Sequence, residues 1–206
     1  MTSFHVVVEA IKRGGVVIYP TETLYGLGAS AFLPEAAARV CRLKGRPEGK
    51  ALPLVVGSRE QVGLVTELED PDFARLADLF WPGPLSIIVP ARRDLAPQVK
   101  DAAGLTSLRW TAHATAAALC LESGAPLIAT SANLSGRQAA ARPEDLDPTL
   151  LAEVDAAVLE HPWPAGGAAS TVVRLLGCGR LDILRIGAVP EQALEQAGFR
   201  LRGQGG

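Results

Sequence analysis

The apolar residues of this chain come in short runs, none long enough to span a bilayer, and most of the runs end on proline, glycine or a cluster of polar residues. Residues 16–19, 52–56, 85–89, 105–110, 126–129, 156–159, 170–176 and 181–186 have the length and side-chain content of strands. Between the early ones lie segments with helical spacing. Phe4, Val7, Val8 and Ile11 fall at i, i+3, i+4 and i+7; Ala37, Val40 and Cys41 follow Pro34; Phe73, Leu76, Ala77 and Phe80 follow Asp70-Pro71; and residues 113–122 and 190–197 read as two further helices. Ser58 with Gln61 has the spacing of a capping box. The last two strand candidates flank Gly177-Cys178-Gly179-Arg180, a hairpin turn. Helices that alternate with strands, then a late hairpin, predict an α/β fold with a twisted mixed sheet and flanking helices. No repeat, linker or shift of composition divides the chain. The expectation is one domain over residues 1–206, with a tail that frays after about residue 200.

Composition matters chiefly for what it excludes. A hydrophobic fraction of 48% in 206 residues is enough for a substantial core. The net charge of −2 gives no global field for nucleic acid, so any anion site must be a local cluster of cations. Cys41, Cys120 and Cys178 are far apart and odd in number, which argues against a disulfide framework and a zinc knuckle. The N-terminal residues lack a signal-peptide pattern, and a reducing cytoplasm is the expected location.

Three stretches carry groups for chemistry. In the first, the apolar run 16–19 feeds into Pro20-Thr21-Glu22-Thr23-Leu24-Tyr25-Gly26-Leu27-Gly28, where Pro20 ends the strand. Thr21, Glu22, Thr23 and Tyr25 then crowd a polar loop, and Gly26 and Gly28 allow a tight turn or a close approach to a ligand. The second is Lys44-Gly45-Arg46-Pro47-Glu48-Gly49-Lys50, where Lys44, Arg46 and Lys50 could point three cations at one anion. The spacing is not that of a P-loop, and Gly26-Leu27-Gly28 lacks the third glycine of a dinucleotide fingerprint. The third is Ser131-Ala132-Asn133, just past a buried strand, whose hydroxyl and amide suit a phosphate or sugar. No Gly-x-Ser-x-Gly surrounds Ser131 and nothing places a base beside it, which argues against an acyl-enzyme. His113, four residues after Arg109, is a further site candidate; no His/Asp/Glu set has metal-ligand spacing.

Together with Trp81-Pro82-Gly83-Pro84-Leu85 and Ser170-Thr171-Val172-Val173, these stretches occur in an order that closely resembles the YrdC-like family, the threonylcarbamoyl-AMP synthases. The resemblance covers roughly residues 7–189 and matches the short, single-domain form. It implies a twisted mixed sheet around a concave basic cavity. It also implies an activity: L-threonine, bicarbonate (or CO₂) and ATP would give threonylcarbamoyl-adenylate and pyrophosphate, with Mg²⁺ carried on the phosphates and no protein-bound metal. A downstream threonylcarbamoyl transferase would use the product on adenosine 37 of tRNA. By the same resemblance Thr23, Arg109 and Ser170 would contact threonine; Lys44, Arg46, Lys50, Ser131, Asn133 and Arg185 would contact ATP, with Lys44 and Arg46 as the catalytic cations; and Thr21, Tyr25 and His113 form a second tier. Glu22 is a candidate for orienting the threonine amine.

The chain departs from the family pattern at Trp110-Thr111, where a small apolar residue and proline are usual, at Ala168-Ala169 before Ser170, and at Ile186 after Arg185. These departures lie on the acceptor side and keep two other readings open: a paralogue with a different acceptor, and a non-catalytic module that binds tRNA or double-stranded RNA. No membrane partner is expected.

Overall fold

The computed structural model describes residues 3–45 and 49–202, and Arg46, Pro47 and Glu48 lie outside that set. In chain order the elements are α1 (Phe4–Lys12), β1 (Val17–Pro20), β2 (Tyr25–Gly28), α2 (Pro34–Lys44), β3 (Leu54–Val56), α3 (Pro71–Phe80), β4 (Leu85–Pro90), β5 (Leu105–Trp110), α4 (Ala114–Ser123), β6 (Leu127–Ile128), β7 (Thr130–Ser131), α5 (Pro148–Glu153), β8 (Ala156–Ala157), β9 (Thr171–Gly177), β10 (Arg180–Arg185), α6 (Glu191–Gln196) and β11 (Arg200–Leu201). The mixed α/β architecture is as expected, with the strands divided between two sheets. One has four strands in the order β7-β2-β1-β8 and the other seven in the order β11-β10-β9-β4-β5-β3-β6. Parallel pairs (β3 with β5, β4 with β9) sit beside antiparallel ones (β4 with β5, β9 with β10).

Pairing extends beyond the expected strands. Tyr25–Gly28 is a strand antiparallel to β1, with Val17 opposite Gly28 and Pro20 opposite Tyr25, so the polar stretch is a hairpin with residues 21–24 at its tip. Gly28 serves this packing rather than a ligand. A Cβ there would lie 1.9 Å from the Ile128 carbonyl oxygen and 2.8 Å from the Tyr19 ring. Arg200 and Leu201, where the tail was expected to begin to fray, pair in parallel with β10, and residues 203–206 lie outside the described set. The Ser58/Gln61 box forms by half. Ser58 Oγ accepts from Gln61 N at 3.4 Å, while the Gln61 side chain reaches Gly57 N and the Cys120 carbonyl. A 3-10 turn (Glu60–Leu64) follows in place of an α-helix.

Alternation along β1 builds two cores. Val16 and Ile18 face a large cluster with Leu27, Leu54, Ile87 and Leu108, while Val17 and Tyr19 face Val7, Ile11 and Leu119 of α1 and α4. Each of these fully buried aliphatic side chains contributes about 1.5–3 kcal/mol relative to exposure. The Tyr19 hydroxyl donates to the Ile128 carbonyl at 2.7 Å, and burial raises its pKa well above the ordinary value. None of the three cysteines is in a disulfide, and burial pushes the Cys120 thiol up to about 12. Among the described residues no helix is long and apolar enough to cross a membrane.

Candidate active site

Sheet register brings distant polar residues onto one face. Arg185 lies opposite Val172, Val172 opposite Ser86, and Arg109 opposite Val55, so four strand pairings set these side chains in a row across five strands. The hairpin tip of the small sheet and the end of α2 complete the enclosure. The resulting cavity, about 380 Å³, is lined by Thr21, Thr23, Tyr25, Lys44, Ser131 and Arg109, together with Ser86, Ser107, Ser170 and Arg185. A larger cavity of about 540 Å³ lies against α3, Trp81 and Trp110. Its charged lining is mostly acidic (Glu67, Glu69, Asp70 and Asp78), and its one cation, Arg59, pairs with Asp78. The smaller, basic cavity is the better candidate site.

One end of that cavity is built by α2. Its buried stripe runs Ala36, Ala37, Val40, Lys44, so helical periodicity carries an ammonium group into the protein at 6% exposure. Gly45, at φ +58°, ends the helix there. Lys44 Nζ lies 2.6 Å from the Ser131 carbonyl, 3.1 Å from Ser131 Oγ, 3.0 Å from the Asn133 carbonyl and 2.9 Å from Asn133 Oδ1. An ammonium has three protons to give, so these four oxygens share them and fix the position of Nζ. Ser135 returns the favour, with its N and Oγ donating to the Lys44 carbonyl at 3.1 and 2.8 Å. Asn133 is held in turn through its amide on the Arg137 carbonyl and does not itself line the cavity. Lys50 is exposed beside the cavity-lining Ala51, and Arg46 lies outside the described residues.

The other end holds two guanidinium groups. Arg185 Nε donates to the Ser170 carbonyl and Nη2 to Ser170 Oγ, both at 2.9 Å, and Ser170 Oγ lies 3.0 Å from Ser86 Oγ. Burial, helped by the like charge of Arg109, holds the Arg185 pKa below its ordinary value. Arg109, 5% exposed, has its Nη1 3.0 Å from Glu22 Oε1. That contact is an ion pair rather than a directed hydrogen bond, since neither atom has a well-aligned partner. Arg185 was grouped by resemblance with the ATP contacts, and the fold bonds it directly to Ser170 of the threonine group.

Three expected site residues stand differently. Tyr25 lines the cavity with its hydroxyl buried and without a hydrogen-bond partner among the described residues, and burial raises its pKa to about 12. Glu22 and His113 lie behind the lining. His113 Nε2 donates to the Pro162 carbonyl at 3.1 Å, Nδ1 has no partner among the described residues, and burial lowers the ring's pKa against the upward pull of that bond and of Glu22. The neutral imidazole is therefore favoured. Ser86, Ser107 and Thr130 line the cavity without having been anticipated. A signal for two of them was present: Ser86 is the polar residue inside an apolar strand, and Ser107 shares a face with Arg109 by period two. Among the described residues, no set of three or more His, Cys, Asp or Glu is placed to hold a metal ion.

The Sua5/YciO/YrdC family model, described as "Telomere recombination", matches residues 9–187. A threonylcarbamoyl-AMP synthase of Halorhodospira halophila is 35% identical over 160 residues, covering 75% of this chain and 84% of that protein. One of Thiobacillus denitrificans is 42% identical over 127 residues, covering 61% and 67%. Among solved structures, Sua5 of P. abyssi in complex with L-threonine superimposes with a TM-score of 0.87 at 27% identity. That match covers 97% of this chain and 58% of the P. abyssi chain, so this chain spans less than two thirds of it.

Proposed function

The chain belongs to the Sua5/YciO/YrdC family, and from that premise we propose that it is a threonylcarbamoyl-AMP synthase, a nucleotidyltransferase that makes threonylcarbamoyl-adenylate and pyrophosphate from L-threonine, bicarbonate and ATP. The observation that carries this reading is the convergence of Lys44, Arg109 and Arg185, with Ser131, Ser170 and the Thr21/Thr23 hairpin tip, on one cavity of about 380 Å³. A threonine carbamate is an anion, and it must attack an α-phosphorus whose oxygens are also negative. The barrier is repulsion and misorientation, so fixed cations and aligned donors suit the task better than an acid/base pair. In the reaction a carbamate oxygen bonds to the α-phosphorus and pyrophosphate leaves with the electrons of the broken P–O bond.

In this reading the Lys44 end, with Arg46, Lys50, Ser131, Asn133 and Mg²⁺ carried on the nucleotide, takes the phosphates. Thr23, Arg109 and Ser170 take the amino acid, and Arg185 bridges the two groups. Tyr25 and Thr21 shape the wall between them. The downstream partner is a transferase acting on adenosine 37 of tRNA, and the setting is cytoplasmic. The test is pyrophosphate release by purified protein given ATP, Mg²⁺, bicarbonate and varied L-threonine. Release that saturates with threonine is expected, and release indifferent to threonine refutes the synthase. Arg46→Ala should lower the rate by about two to three orders of magnitude, and an unchanged rate removes Arg46 from the machinery.

A further inference from the structure

Thr111 stands one residue beyond β5, two past Arg109, and is 1% exposed. Its hydroxyl oxygen lies 2.6 Å from Glu22 Oε2 and 3.2 Å from the backbone N of His113. A backbone N–H can only donate, so it occupies a lone pair of Thr111 Oγ1 and leaves the hydroxyl proton to point at the carboxylate. The backbone of Thr111 is fixed as well, with its N donating to the Val56 carbonyl at 3.1 Å. The other carboxylate oxygen, Glu22 Oε1, faces Arg109 Nη1 at 3.0 Å. Among the described residues Glu22 is the one carboxylate within ion-pair distance of Arg109.

The hydroxyl therefore joins the two sheets at the cavity. Glu22 sits on the hairpin tip between the cavity-lining Thr21 and Thr23, while Thr111 and Arg109 belong to the end of β5. Glu22 itself does not line the cavity, so its carboxylate works on Arg109 from behind rather than on a ligand. We propose that Thr111 is a positioning residue: its hydroxyl clamps the Glu22 carboxylate, and through it sets the Arg109 guanidinium and the Thr21–Thr23 tip that together receive the carboxylate end of an α-amino acid. This rests on the reading of the cavity as a threonine and ATP site. It gives the Trp110-Thr111 departure from the family pattern a physical role, since a proline at 111 would offer neither the hydroxyl nor the N–H bonded to Val56.

The test compares wild type, Thr111→Val, Thr111→Ser, Glu22→Gln and the double variant Thr111→Val/Glu22→Gln by pyrophosphate release, with threonine and ATP varied separately. Thr111→Val keeps the shape and removes the hydroxyl. Loss of a hydrogen bond to a charged group should raise KM for threonine about tenfold, with KM for ATP unchanged within about twofold. Thr111→Ser should restore the wild-type value. Because Thr111 acts through Glu22, the double variant should be no worse than Glu22→Gln alone.

An unchanged KM for threonine in Thr111→Val overturns the proposal. So does an equal rise for both substrates that serine does not rescue, or effects that add in the double variant. Should Thr111→Val fail to fold, Glu22→Gln carries the test, because Thr111 stays in place: an unaltered KM for threonine there also overturns it. Wild-type release without threonine dependence defeats the synthase reading and this inference together. Threonine-dependent wild type with indifferent variants defeats this inference alone.

Discussion

The two ends of the cavity hold their cations in opposite ways. Among the described residues, Lys44 Nζ is surrounded by four neutral oxygens from Ser131 and Asn133. Arg109 is held differently, with its charge matched by the largely buried Glu22 carboxylate and, among the described residues, no well-aligned donor bond from Nη1. A neutral acceptor solvates an ammonium without neutralising it. A carboxylate partner trades that charge for orientation. In the proposed reaction the lysine end stabilises phosphate charge, and the arginine end places the amino acid.

Four predictions can break or sharpen this contrast. The largest effect is expected for Lys44→Ala, which should lower the rate of pyrophosphate release by at least about 10²–10³-fold and act mainly through ATP. If its only effect were on KM for threonine, the two ends would not be distinct. Next, Arg109→Ala strands Glu22 as a buried, uncompensated charge. It should lose about 3–5 kcal/mol of stability by denaturant titration, and Arg109→Ala/Glu22→Ala should recover much of that loss. No recovery would mean that the pair does not balance charge.

Gly28→Ala comes third. Its Cβ would meet the Ile128 carbonyl, three residues before Ser131, so the lysine end should suffer. A loss of about 1–3 kcal/mol is expected from the melting curve, with KM for ATP more affected than KM for threonine.

The smallest effect is the pH dependence of His113. Its pKa in the folded protein is below the ordinary 6.5 because of burial. Above about pH 6.5 both states are neutral there and this contribution to stability is flat. As pH falls through that value the unfolded chain takes the proton first, so stability declines. Melting temperatures measured from about pH 8 down to pH 5 should fall less steeply in His113→Gln than in wild type. Identical slopes would remove His113 as the cause.

Much of this contrast could be anticipated from the chain, but not how its parts are joined. Lys44 was visible as a cation beside glycine, and its periodicity with Ala37 and Val40 already places it on the buried face of α2. Ser131 and Asn133 were visible as polar groups after an apolar run. That both side chains and both carbonyls turn on one ammonium depends on a contact across about ninety residues, which no local pattern encodes. Thr111 appeared only as a departure, because a buried threonine has no signature until its partner Glu22 is known. The strand Tyr25–Gly28 was hidden by its two glycines, which lower strand propensity; pairing with β1 and β7 overrides that.

By itself the sequence determined the helices, most of the longer strands, the family resemblance and the residue types available for chemistry. Those follow from periodicity, caps and breakers, which act over a few residues. Tertiary structure decided the division into two sheets, the row from Arg185 to Val55, the four oxygens gathered on Lys44 and the carboxylate that meets Arg109. Register and packing between distant segments fix these, and hydrogen-bond and ion-pair geometry exists only once the segments have met.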